Sequence, residues 1–68
     1  MYTIAESLKE HRERRQYSQS ELARKTGIAQ PKISYYENER HIPPVDLCMK
    51  LADFYEISLD DLVGRNFK

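Results

Sequence analysis

The 68-residue sequence predicts an all-α fold of five short helices, on three observations. Residues recur on one face at helical spacing: Ile4, Leu8 and His11 or Arg12 in one segment, and Val45, Cys48, Leu51 or Ala52, and Tyr55 in another. Three segments open with a Ser or Thr followed three residues later by an acid: Thr3 with Glu6, Ser18 with Glu21, and Ser58 with Asp61. Each pair can cap a helix reciprocally, Asp less effectively than Glu. Strand signals are poor, with no hairpin dipeptide and no sustained alternation of apolar with polar residues.

The first helix is expected from about Thr3 to Arg15. The second runs from Ser18 to about Thr26, with Leu22 and Ala23 inward. Gly27 follows, where a left-handed backbone allows a sharp turn, and Ile28 tucks beneath it. The third helix spans about Ala29 to Asn38, with Ile33 and Tyr36 on its core face. Pro31 falls in its first turn, where a missing N–H costs no intrahelical bond. His41 to Pro44 is a rigid loop, because two prolines exclude helix before them. The fourth helix runs from about Pro44 to Tyr55 with Val45, Cys48, Leu51 or Ala52, and Tyr55 inward. The fifth is short, from Leu59 to about Val63, and stops at Gly64. Residues 64–68 are expected to be a frayed tail unless Phe67 docks.

Length predicts one domain over residues 1–68. Cys48 is the single cysteine, so no intramolecular disulfide can form, and it reads as a small core residue. His11 and His41 are the only histidines, which offers no metal-ligand set. No signal-peptide pattern or membrane-length apolar run appears, so a cytoplasmic protein is expected. No nucleophile has an evident base, and two glycines make no phosphate cradle, so neither enzyme activity nor a cofactor is expected. No small-molecule ligand is evident.

Net charge is formally zero, which at first argues against nucleic acid. The distribution softens that objection. Residues 1–41 hold eight Lys/Arg against six Asp/Glu, and residues 42–68 hold three against five. A small DNA reader needs only a local basic rim, since phosphate contacts are made one residue at a time.

The segment from Ser18 to Glu39 is the most informative. Two short helices joined at Gly27, apolar where they cross and polar where the second faces outward, form a DNA-reading helix-turn-helix pattern. Such a recognition helix presents its first turns to base edges. Here these are Ala29, Gln30, Pro31 and Lys32, with Ser34 and Tyr35 further along. The Gln30 amide matches adenine N6 and N7 as a donor–acceptor pair, the alternative being a solvent-facing glutamine. Lys32 can reach guanine or phosphate, or remain solvated. Tyr36 follows Ile33 inward. Tyr35 therefore faces outward, where it either meets a thymine methyl or a phosphate or is a surface tyrosine without a role. Gln19, at the start of the second helix, and Arg40, after the third, are phosphate candidates; His41 is a weaker one. If the first helix packs on the end of the third, Arg12 and Glu37 form a structural ion pair that fixes the recognition helix.

Residues Leu8 through Leu62 resemble the phage-repressor helix-turn-helix proteins of the Cro and lambda-repressor, or XRE, type. SQSELARKTGI, ISYYEN, the Pro43 loop and KLADFYEISLDDL carry the likeness. The resemblance implies a five-helix lambda-repressor-like domain that binds double-stranded operator DNA, usually as a symmetric dimer, and regulates transcription, more often as a repressor. It implies that Gln19 touches the DNA backbone, that Gln30 reads a base, and that Arg12 and Glu37 form a buried pair. The sequence also departs from the family. His11 replaces an aliphatic residue, Ala29 replaces a Ser or Thr, Pro31 replaces a polar base reader, and Glu39 replaces a Gly. No relative's sequence preference can therefore be transferred.

Useful specificity needs two half-sites, so a homodimer is expected. Leu47 and Phe54, with Leu62, Val63 or Phe67, are the apolar candidates for its interface; sealing the fourth helix against its neighbours is their alternative use. The rival functional reading is an antitoxin or protein-interaction module on the same fold.

Overall fold

A computed structural model describes residues 3–38 and 41–64. Five helices follow one another: α1 (Ile4–Arg14), α2 (Gln19–Thr26), α3 (Gln30–Glu37), α4 (Val45–Tyr55) and α5 (Leu59–Val63). No strand occurs among the described residues.

Side-chain chemistry sets the helix starts. Thr3 Oγ1 accepts the Glu6 N–H at 3.1 Å, and Glu6 Oε1 accepts the Thr3 N–H at 2.8 Å. Ser18 and Glu21 repeat the exchange at 3.0 and 2.9 Å. These bonds hold the Glu21 carboxyl below the usual carboxylate range, with the Ser18 backbone N–H as the main cause. Ser58 Oγ accepts the Asp61 N–H at 3.0 Å without a return bond, because Asp is one methylene shorter than Glu. Ala29 caps α3 without a side-chain bond, and Pro31 sits in the first turn as expected.

The helix ends include two that the sequence did not announce. Gly27 and Gly64 take left-handed caps, at φ of 80° and 81°. Gln16 and Glu56 adopt the same region at 62° and 59° without being glycine. Both are exposed, and backbone bonds hold them in a conformation that L side chains disfavour: the Gln16 and Tyr17 N–H groups donate to the Glu13 and Arg12 carbonyls at 2.9 and 3.2 Å, and those of Glu56 and Ile57 to Asp53 and Ala52 at 3.1 and 3.0 Å.

The core gathers Leu8, Leu22, Ile28, Ile33, Cys48, Leu51, Ala52, Tyr55 and Leu62. α1 lies against α3 and α5, α2 against α3 and α4, and α4 against α5. The α1 inner face is wider and more polar than its apolar spacing indicates: Ala5, Ser7, Leu8, His11 and Arg12 are all buried. Ser7 Oγ donates to the Leu62 carbonyl at 2.7 Å. His11 Nε2 donates to the Asp61 carbonyl at 2.9 Å, and its Nδ1 accepts from Arg15 Nη1 at 3.2 Å. Both ring nitrogens are thus satisfied, which is how a polar residue occupies a normally aliphatic position.

Two expectations are corrected here. Val45 is 62% exposed, because α4 is rotated to bury Cys48, Leu51, Ala52 and Tyr55. The apolar dimer patch also fails at Leu62, whose exposure is 0%. It lies in the core, covered by this chain's own helices. Leu47, Phe54 and Val63 are half-buried and packed on that core. Phe54 rests against Tyr17 with ring centroids 5.8 Å apart. Phe67 lies outside the described residues, as do Arg65, Asn66 and Lys68 of the expected frayed tail.

Tyr55 Oη is buried without a hydrogen-bond partner among the described residues. Burial pushes its phenol up to about 12, against an ordinary value of about 10. The folded protein therefore holds this proton more tightly than the unfolded chain. The associated stability is full below pH 10 and is lost between about pH 10 and 12, on the order of 2 kcal/mol. Tyr55→Phe should retain or raise stability at pH 7 and flatten its fall over that alkaline range. Urea titrations of both proteins at pH 8 and 11 check this, and equal falls in stability would refute it.

Candidate nucleic-acid interface

The turn between α2 and α3 is built from few atoms. The Gly27 N–H closes on the Ala23 carbonyl at 2.9 Å. Thr26 Oγ1 donates to the Leu22 carbonyl at 2.7 Å and accepts the Ile28 N–H at 3.2 Å. Ile28 is thereby driven into the core at 7% exposure. A Cβ at position 27 would meet nothing within 4 Å, so the left-handed φ, and not crowding, is what favours glycine there.

α3 is anchored by Ile33 and Glu37, four residues apart and both buried, with Tyr36 half-buried beside them. Its opposite side carries Gln30, Pro31, Lys32 and Tyr35, preceded by Ala29, all exposed. Ser34 is half-buried and occupied locally, since Asn38 Nδ2 donates to its carbonyl at 2.7 Å and to its Oγ at 3.3 Å. Tyr35 packs edge-on against Tyr36 at 5.2 Å and lies 5.1 Å from the His41 ring. That contact holds an aromatic pair at the exit of α3. Arg40 lies outside the described residues.

Two of the predicted residues are already engaged. Gln30 Oε1 accepts a long bond of 3.4 Å from Ser20 Oγ. Gln19 Nε2 donates to Glu37 Oε1 at 3.1 Å. Neither Ser20 nor the Gln19–Glu37 link is visible in the sequence, because both depend on how α2 crosses α3. Ser20 carries no signal beyond its neighbour Gln19.

Behind this surface lies the ion pair. Arg12 Nε and Nη2 donate to Glu37 Oε2 and Oε1, each at 2.9 Å, a two-pronged geometry. Arg12 Nη1 donates to the Tyr17 carbonyl at 2.7 Å. Side-chain exposures are 9% for Arg12 and 4% for Glu37. The Glu37 hydrogen bonds raise the Arg12 pKa further above its already basic value. The guanidinium therefore stays charged.

No group of three or more His, Cys, Asp or Glu among the described residues could hold a metal ion. No helix among them is long and apolar enough to cross a membrane. Cys48 is a buried free thiol, pushed up by burial and so unreactive.

Comparison with known proteins agrees with this geometry. The family described as Helix-turn-helix (HTH_3) matches residues 8–62. The chain is 34% identical over 64 residues to the HTH-type transcriptional regulator ImmR of Bacillus subtilis, covering 94% of this chain and 50% of that protein. It is 34% identical over 62 residues to the cryptic phage CTXphi transcriptional repressor RstR of Vibrio cholerae, covering 91% and 55%. The chain thus spans about half the length of these curated relatives. The crystal structure of a transcriptional regulator from Listeria innocua superposes with a TM-score of 0.78 over 96% of this chain and 61% of that one; at 22% identity it shows the shared fold. With the turn at Gly27, the exposed side of α3 and the match over residues 8–62 in agreement, the chain belongs to the XRE-type helix-turn-helix family of DNA-binding regulators.

Proposed function

We propose that the protein is a sequence-specific regulator of transcription, a repressor, that places α3 in the major groove of a palindromic operator as a homodimer. The observation that carries this reading is the division of α3. Ile33 and Glu37 fix its inner side, and Gln30, Pro31, Lys32 and Tyr35 are exposed on the side that can meet a duplex. Gln30 reads adenine through its amide, and Pro31 supports only shape or methyl contact. Lys32 and Gln19 hold phosphates. Ser34 and Ala29 flank the base-facing row, and Arg40 adds a cation beyond the helix. The repressor assignment draws on the name of the RstR relative. The dimer follows from specificity, because one such domain reads a single half-site.

Selection of duplex sites from a random pool tests this. A palindromic consensus should emerge, and Gln30→Ala should weaken binding to it by about 1–3 kcal/mol while leaving binding to unrelated duplex unchanged. Salt-sensitive binding without a consensus would mean that the fold holds phosphates without reading bases, and would overturn the reading.

A further inference from the structure

We infer that Glu37 is a positioning residue for Gln19, and that Arg12 acts through it to aim the phosphate contact at the start of α2. The inference rests on the DNA-binding reading above and deepens it.

One carboxylate oxygen joins three helices. Glu37 Oε1 accepts from Arg12 Nη2 of α1 at 2.9 Å and from Gln19 Nε2 of α2 at 3.1 Å, and Glu37 itself ends α3. Its other oxygen is held by Arg12 Nε at 2.9 Å, so the carboxylate cannot rotate. Arg12 Nη1 also grips the Tyr17 carbonyl at 2.7 Å, immediately before the Ser18 cap of α2. A single guanidinium therefore locates both the acceptor that orients Gln19 and the backbone that delivers it.

Gln19 is half-exposed, and a free glutamine at such a position samples many rotamers. The bond to Glu37 uses one of its two N–H protons. The second proton makes no bond among the described residues and is the donor left for a phosphate oxygen. Preorganising it removes the ordering cost from the binding step. Arg12 has an electrostatic part as well: it neutralises a carboxylate that would otherwise face DNA phosphates beside Gln19.

A mutant cycle tests this. Arg12→Met with Glu37→Leu replaces the buried pair by apolar groups of similar size and should leave the fold intact. Gln19→Ala is then compared in both backgrounds on the selected duplex. In the native background it should weaken binding about tenfold, the scale of a hydrogen bond to a charged group. In the apolar background it should weaken binding less than about twofold, since an unaimed glutamine contributes little. An equal loss in both backgrounds overturns the positioning role while leaving the DNA-binding reading intact. Failure of the native protein to select any duplex overturns both. A second measurement needs no variant. Nitrogen-15 relaxation of the Gln19 side-chain amide in the native protein should report restricted motion, and motion like that of a free surface glutamine would also refute the inference.

Discussion

Arg12→Ala is expected to lower folding stability by about 3–5 kcal/mol, the cost of leaving a buried carboxylate without its partner. The Glu37 side chain is 4% exposed, so water cannot replace the lost guanidinium. Among the described residues only the Gln19 amide remains to it, through one bond at 3.1 Å. The Tyr17 carbonyl loses its donor in the same substitution. A domain of 68 residues typically has on the order of 3–10 kcal/mol in total, so much of the variant should be unfolded at 37 °C. Removing the Glu13 contact instead should do almost nothing. It is a 4.0 Å approach to a side chain 57% exposed, where solvent screens the charge. The test is urea denaturation of Arg12→Ala and Glu13→Ala beside the native protein. A loss under 1 kcal/mol for Arg12→Ala would show that water enters the site and satisfies Glu37.

The ion pair also shows what a sequence can carry. The sequence offers Arg12 and Glu37 as a pair only if α1 packs against the end of α3, and the resemblance to the phage-repressor family implies that pair. Local rules place the Thr3 and Ser18 caps, the Gly27 turn and Pro31 correctly, because each depends on neighbours within four residues. Features set by the rotation of one helix against another were less legible. Val45 has core-like spacing on α4, and only the packed arrangement shows that α4 turns it outward. The left-handed backbone at Gln16, just past the α1 cap, and at the Glu56 cap of α4 carries no glycine to announce it. In the interface, the exposed row on α3 could be read from the alternation of Ile33 and Tyr36 with its polar neighbours. Ser20 on Gln30 and Glu37 on Gln19 could not, because they depend on the crossing of α2 and α3 to a fraction of an ångström.

Leu62→Ala is expected to cost about 3–5 kcal/mol, at the upper end of core truncations. Three conditions set the size. The side chain has 0% exposure, so its whole transfer energy is lost. It sits where α5 meets α1, with its own carbonyl held by Ser7 Oγ at 2.7 Å and its N–H bonded to the Ser58 carbonyl at 3.1 Å. The backbone is thus fixed from both sides and cannot collapse into the space left behind. α5 has only five residues and cannot hold itself together once its anchor is gone. Leu47→Ala is the control: Leu47 is half-buried, and its loss should cost about 1–2 kcal/mol. Denaturation of the two variants, with light scattering to count protomers, separates the two uses once open to Leu62. A large loss of stability, whatever the association state, marks a core residue. Retained stability with altered self-association would place it at a dimer contact, and would mean that α5 moves away from α1 when two copies meet.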